Sequence, residues 1–245
     1  MNYNQYLYMI MKSIIILIFL TWPLVISGQA VVGPTGYSET DMNTLNPNRL
    51  LIRTKSANAY GTIGTPYVFT DFKKGNLYYA NQQRVSNIML NYDCYNNQLV
   101  YTSGGSLYLL NSDRIEYFET DPGQDSSKLF RQIFVEDLKK RVFLQILYNG
   151  SSTLYKRYYK DFTEADYGGA YSQDRRYDEY KDRHGYFIKL ADGDLQQLKP
   201  RKNSILEILL PDKGDEIEKY IKKEKPDLKT DDGLVRLISF YDGLP

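Results

Sequence analysis

The feature that most constrains the fold is a series of short apolar runs, separated by turn residues, over residues 64–200. The runs are rich in Tyr, Val, Leu and Phe, and the breaks contain Gly, Asn, Ser or Gln. A spacing of about ten residues between breaks is typical of antiparallel strands joined by hairpins. The pattern therefore predicts a twisted antiparallel sheet or a small open barrel. The first six runs are 66–69, 76–79, 85–90, 98–102, 107–110 and 114–119.

Two later pairs of runs each flank a turn with glycine in second place. Residues 142–148 meet 152–159 across Asn149-Gly150, and a second hairpin over 185–198 turns at Asp192-Gly193. Asn-Gly and Asp-Gly accept the positive φ angles of a two-residue type I′ turn. We therefore predict two tight hairpins of type I′ geometry.

From residue 201 to residue 245 the apolar residues follow the period of a helix rather than that of a strand. Two to three short helices packed on the sheet would complete an α+β fold that is mainly antiparallel β. The predicted helices are a first one capped by Asn203 or Ser204 and ended by Pro211, a second over 215–225, and a third that begins at Thr230.

The N-terminus has the pattern of a signal peptide over residues 1–30. Lys12 precedes the apolar run 13–26, and small residues follow it. An uncleaved signal anchor is the alternative, but the run is shorter than the ~20 residues of a spanning helix and contains Pro23. Met9 and Met11 also precede Lys12 and are alternative start residues to Met1. Residues 31–63 are rich in Gly, Pro, Asn, Ser and Thr and are predicted to be an extended, partly disordered lead-in.

The signal-peptide pattern predicts an exported protein that is periplasmic or extracellular. Without Lys12, the 31 basic residues become 30 against 30 acids, so the mature chain is close to neutral. We therefore expect no nucleic-acid partner. After signal cleavage we expect no membrane span. Because no cysteine lies near the cleavage region, we also expect no lipid anchor.

Few residues of the chain could carry catalytic or metal chemistry. His184 is the single histidine and Cys94 the single cysteine, so the sequence contains no zinc-ligand spacing. A phosphate-binding glycine loop is absent as well. We therefore predict no catalytic residue, no metal and no cofactor. Cys94 lies in a strand-like run and is expected to be a small, buried core residue.

Residues 161–183 are polar and tyrosine-rich, and they are predicted to form a long loop. Such loops in a compact domain are usually functional or disordered. Tyrosine and arginine supply contact area and directed hydrogen bonds at interfaces. A solvated, salt-bridged loop is the alternative, because each acid has a basic residue nearby. The predicted binding residues are Tyr167, Tyr171, Arg175, Arg176, Tyr177 and Tyr180.

These observations favour a non-catalytic binding or structural protein that contacts a protein or glycan partner. Two other functions stay open. A closed barrel with an apolar cavity would indicate a lipocalin-like carrier of a small ligand. Paired carboxylates at a suitable separation would indicate a glycan-active hydrolase, and the acids available in the predicted loop are Glu164, Asp166, Asp174, Asp178 and Glu179.

Three sequence motifs, taken together, are similar to those of a known group of proteins. They are Gly64-Thr65-Pro66-Tyr67 followed by Phe72-Lys73-Lys74-Gly75, the run 89–99, and the ending 234–244. As a set, they resemble uncharacterised exported cell-envelope proteins of the Bacteroidota over most of the mature chain. The resemblance implies a cell-envelope location and supplies no catalytic residues.

Overall fold

A computed structural model describes residues 61–166, 168, 175–191 and 193–245, apart from the side chains of residues 210–212. All of these residues belong to the unit Tyr37–Pro245. The predicted signal peptide, most of the lead-in, and Tyr167, Tyr171 and Asp192 lie outside the described residues. None of the helices in the described part is both long enough and apolar enough to cross a membrane.

The described residues form one sheet of eleven strands. The strand order is β1-β10-β9-β8-β7-β6-β2-β3-β4-β5, and β11 pairs with β10 outside this path. All pairs are antiparallel except β1 with β10. The strands are β1 (Gly61–Ile63), β2 (Lys73–Tyr79), β3 (Arg84–Asp93), β4 (Gln98–Ser103), β5 (Ser106–Leu109), β6 (Ile115–Thr120), β7 (Lys128–Val135), β8 (Lys140–Asn149), β9 (Thr153–Thr163), β10 (Tyr177–Lys189) and β11 (Leu195–Leu198).

The C-terminal part forms helices α1 (Lys202–Glu224) and α2 (Asp231–Asp242). Helix α1 is broken at Lys213, whose φ and ψ are −140° and 31°, so the tail contains three helical segments. The predicted end at Pro211 was wrong, since the helix continues to the break two residues later. The α+β class with a helical tail is confirmed.

Helix α2 begins as the sequence predicts. The Thr230 side chain accepts a hydrogen bond from the Gly233 backbone N–H at 3.1 Å, which satisfies one of the free donors of the first turn. The predicted cap of α1 was wrong, because Arg201 occupies the cap position and makes no side-chain cap bond. Asn203 and Ser204 lie inside the helix.

The β8–β9 hairpin has the predicted pairing but not the predicted turn. Gln145 pairs with Lys156, yet neither Asn149 nor Gly150 has a positive φ, so the turn is not type I′. A Cβ atom at Gly150 would collide with the Tyr148 hydroxyl and the Asp242 carboxylate. The glycine is therefore favoured by the close approach of the Tyr148 and Asp242 side chains, which would have to shift to admit a Cβ atom, rather than by its φ angle.

The predicted two-residue turn between β10 and β11 was also wrong. Lys189 pairs with Leu195, so five residues, 190–194, connect the strands. Gly193 does not have a positive φ. The type I′ geometry occurs instead at the β4–β5 hairpin, where Gly104 and Gly105 have φ angles of 56° and 79°.

The predicted loop 161–183 is much shorter than expected. Residues 161–163 belong to β9, and residues 177–183 belong to β10. The two strands pair here, from Glu179 opposite Thr163 to Arg183 opposite Tyr159. Its charges pair across the strands, as in Arg183 to Asp161 at 2.7 Å. Cross-strand pairs of opposite charge stabilise a sheet, so this polar composition is compatible with strand structure.

The sheet curls over one of its faces. The ring of Tyr92 on β3 lies 5.5 Å from that of Phe143 on β8, although three strands separate them in the sheet order. We call this the inner face. Its core includes Phe118, Phe130 and Phe143, each with no exposed surface.

The helical tail packs on the same inner face, farther along the sheet. Residues two apart in a strand lie on the same face, so Gln145 shares the inner face with Phe143. Lys156 is paired with Gln145 and is therefore also on the inner face. Leu154, two residues before Lys156, lies on that face as well. Leu154 joins Leu234 and Leu237 of α2 in a buried cluster. A smaller buried cluster, which includes Leu144 and Phe187, lies on the opposite, outer face.

Candidate functional site

Three of the predicted binding residues lie together at one edge of the sheet. Strand β1 runs parallel to the start of β10 and places Gly61 opposite Tyr177 and Ile63 opposite Glu179. Ile63 and Tyr177 are 53% and 45% exposed, which are high values among the large hydrophobic residues of the described part of the chain, where Phe134 at 48% is comparable. Arg175 and Arg176 directly precede Tyr177 and are also exposed. We call Ile63, Arg175, Arg176 and Tyr177 the edge patch.

Arg175 is held in place by the residues that follow β9. Its Nη2 lies 3.0 Å from Asp166 Oδ2, and its Nε donates to the Glu164 carbonyl at 3.3 Å. The backbones of residues 166 and 175 also bond to each other. Both members of the ion pair are about half exposed, so the pair positions Arg175 more than it stabilises the fold.

Tyr180 is not part of this surface. Only 7% of it is exposed, and its ring packs 4.7 Å from Phe162 and 5.5 Å from Tyr95. It therefore belongs to the core. Of the six predicted binding residues, the structure brings together Arg175, Arg176 and Tyr177, excludes Tyr180, and does not describe Tyr167 and Tyr171.

Of the acids proposed for a hydrolase, Asp166, Asp178 and Glu179 are engaged in structural contacts, and Asp174 lies outside the described residues. Asp178 is 2% exposed and accepts a hydrogen bond from the Ala165 backbone N–H at 2.9 Å. Glu179 lies 3.3 Å from Lys181. The hydrolase alternative gains no support from these groups.

A polar cluster on the inner face was not predicted. Lys156 Nζ lies 2.9 and 2.8 Å from the two carboxylate oxygens of Asp231, and the Tyr186 hydroxyl donates to Asp231 Oδ1 at 2.7 Å. Nearby, the Tyr158 hydroxyl donates to Gln145 Oε1 at 2.6 Å. The cluster joins the first turn of α2 to β8, β9 and β10. These residues are up to 86 positions apart, so no local sequence pattern could have revealed it.

The pKa shifts in this cluster keep each shifted group in a single protonation state near neutral pH. Burial, and then the hydrogen bond to Asp231, raise the pKa of Tyr186. Burial, and then the charge of Asp231, raise the pKa of Tyr158 to about 12. Burial alone would raise the pKa of Asp231, but hydrogen bonds from Lys156 and Tyr186 lower it. Near neutral pH the phenols stay protonated and Asp231 stays ionised. The bonds from Lys156 and Tyr186 to Asp231 therefore hold the start of α2 against the sheet, and we call these three residues the latch.

Cys94 is buried, as predicted, and its thiol donates to the Pro66 carbonyl at 3.4 Å. Burial raises the pKa of this thiol to about 12, so it stays protonated and unreactive. Among the described residues, no group of three or more His, Cys, Asp or Glu side chains could hold a metal ion.

A lipocalin-like carrier of a small ligand needs a closed barrel with an internal cavity. The sheet path ends at β1 and at β5, which do not pair with each other, so the sheet is open. The space inside the curl is occupied by the rings of Tyr92, Phe118, Phe130 and Phe143. The described strands therefore do not form a closed barrel around a cavity.

Comparison with known proteins found no matching family model, no matching curated protein and no matching solved structure. Function therefore has to be inferred from the side chains themselves. Among the predicted binding residues, those of the edge patch are the ones that are both exposed and adjacent in space.

Proposed function

We propose that this chain is an exported, non-catalytic binding protein of the cell envelope that contacts a protein or glycan partner through the edge patch. Export is supported by the signal-peptide pattern around Lys12 and the apolar run 13–26. The resemblance to envelope proteins of the Bacteroidota supports the same location. Neither observation names the partner.

The observation that carries the proposal is the exposure of two large apolar side chains next to arginine. Tyr177 and Ile63 lie on adjacent strands, 45% and 53% exposed. Arg175 is held beside them by Asp166. Aromatic residues and arginine are enriched at the centres of protein interfaces, where they contribute most of the binding energy. An exposed set of this composition is typical of a surface that a partner covers.

The proposal is tested by affinity capture with tagged mature protein on envelope extracts of the producing cells. The test variant is Arg175→Ala with Tyr177→Ala. The matched control is Arg84→Ala with Leu129→Ala, which also removes one exposed arginine and one exposed apolar side chain, on β3 and β7. We expect a stoichiometric partner that the wild type and the control retain and the test variant loses. Equal capture by both variants would contradict a role for the edge patch.

A further inference from the structure

Strand β5 is one of the two ends of the sheet path, and its far side has no strand beside it in the described part of the chain. It pairs with β4 from Ser106 opposite Ser103 to Leu109 opposite Val100. Residues 107, 108 and 109 are all partly exposed, so solvent reaches the strand. An edge of this kind presents a row of unpaired main-chain groups to which another strand can bind.

The main-chain groups that face outward from β5 follow from its pairing with β4. In an antiparallel pair, residues that bond to the neighbouring strand alternate with residues that point away from it. The Leu110 N–H donates to the Leu99 carbonyl at 2.9 Å, so Leu110 and Tyr108 face β4. Leu107 and Leu109 therefore direct their N–H and C=O groups away from the sheet, and no described group bonds to them.

The segment that forms this edge carries no charge. Residues 94–112, which contain β4 and β5, include no Asp, Glu, Lys or Arg, although these types make up 25% of the chain. Proteins normally protect a free strand edge with charged side chains. Strand β10 follows this rule with Lys181, Asp182 and Arg183, in the stretch between its pairing with β1 and its pairing with β11. The uncharged β5 edge is therefore suited to pairing rather than protected from it.

We propose that β5 pairs with β5 of a second copy of this chain, in an antiparallel two-fold dimer with Tyr108 opposite Tyr108. In this register, Leu107 of each copy lies opposite Leu109 of the other copy. Each copy then contributes two N–H and two C=O groups, which make four bonds across the interface and leave no outward-facing group of β5 unpaired. The paired segments bring no like charges together, because they contain none.

A second copy fits this edge better than an extended peptide from another protein does. The edge offers only two outward-facing residues, and the two-fold arrangement satisfies both of them in both copies at once. The two Tyr108 side chains lie directly opposite each other, on the face that packs against the core, and are close enough to contact. A closed two-fold contact also leaves no β5 edge free, so assembly stops at the dimer.

The first test is sedimentation velocity of the mature protein, from low micromolar to submillimolar concentration. The test variant is Leu109→Pro, which removes an outward-facing N–H and keeps the bonds to β4, since proline is tolerated in an edge strand. The matched control is Leu109→Ala, which loses the same side chain but keeps the N–H. We expect a reversible dimer for the wild type and the control, and a dissociation constant raised roughly tenfold or more for Leu109→Pro, because two of the four bonds are lost. If Leu109→Pro does not fold, Leu107→Lys must weaken the dimer instead, because it places charge at the paired edge.

The second test is disulfide crosslinking, which checks the register. Residues directly opposite in a pair without main-chain bonds have Cα atoms about 4.5 Å apart, which lies within the disulfide range of roughly 4.4–6.8 Å. Tyr108→Cys should therefore form a disulfide-linked dimer on mild oxidation. Ser106→Cys is the exposed control, because its two copies lie four residues, or about 13 Å, apart along the paired strands. Cys94 is buried and contributes no crosslink.

Three results would overturn the proposal. They are a monomer at every concentration, a dimer that Leu109→Pro and Leu107→Lys both leave unchanged, and crosslinking at position 106 as readily as at position 108. A variant with Arg175→Ala and Tyr177→Ala must dimerise as the wild type does. Dimerisation through β5 uses no residue of the edge patch, so either proposal can fail without the other.

Discussion

Replacing Asp231 with asparagine tests the latch between α2 and the sheet. The substitution keeps the shape of the side chain but removes the negative charge that faces Lys156 Nζ at 2.8 and 2.9 Å. Lys156 is only 14% exposed and would be left without its counter-ion, whereas Asp231 itself is 40% exposed. A hydrogen bond to a charged group contributes about 1.5–3 kcal/mol.

Because water partly screens Asp231, we take the lower part of that range and expect Asp231→Asn to reduce the free energy of unfolding by about 2 kcal/mol. Asp232→Asn is the matched control. Asp232 lies in the same turn of α2 and interacts with the same helix dipole, but its partner Arg236 is exposed. Such an exposed pair contributes only about 0.3–0.5 kcal/mol.

The assay is urea unfolding at pH 7, followed by far-ultraviolet circular dichroism, for the wild type and both variants. We expect a clearly lower midpoint for Asp231→Asn and a midpoint near that of the wild type for Asp232→Asn. If the two variants lose equal stability, the effect comes from the helix terminus, and the latch contributes nothing.

The stability difference between the wild type and Asp231→Asn should be complete above the ordinary pKa of an aspartate and should close as pH falls through the lowered pKa of Asp231; a difference independent of acid pH would contradict this. Gly233→Ala should lower the free energy of unfolding in urea by about 1–3 kcal/mol, because its Cβ would collide with the Asp227 carbonyl, whereas Gly185→Ala has open space and should not. Helix propensity alone predicts that Gly233→Ala stabilises the helix, so a stabilised variant would contradict this reasoning. Cys94 should resist iodoacetamide at pH 8 until the protein unfolds, since burial raises the pKa of its thiol to about 12; rapid labelling of the native protein, measured by mass spectrometry, would show that the site is open.

The strands and helices were predictable where local chemistry decides them. Five of the six short apolar runs became β2 to β6, and Thr230 starts α2, because period and capping are local properties. The first run, 66–69, was wrongly predicted as a strand and forms only an isolated bridge from Tyr67 to Asp93. Turn geometry was not predictable at Gly150, where the chain packs closely against Asp242 of the distant helix α2. The strand ends around Arg183 were missed because their charges pair across β9 and β10.

The candidate sites show the same division between local and long-range information. Arg175 and Tyr177 were predictable, since tyrosine and arginine in one polar segment indicate an interface. Ile63 was not, because it reaches Glu179 only through the parallel pairing of β1 with β10. The burial of Tyr180 likewise depends on Tyr95 from a distant strand connection. Residues far apart in the chain become neighbours through sheet order, which one sequence does not contain.

Contact between the edge patch and an envelope partner is tested most directly by photo-crosslinking in the producing cells. A photoreactive phenylalanine analogue replaces Tyr177 in one strain and Leu129, another exposed apolar position, in a second. We predict one defined adduct of higher mass from position 177, in the envelope fraction, and none from position 129. No adduct at position 177, or the same adducts from both positions, would contradict the proposed function.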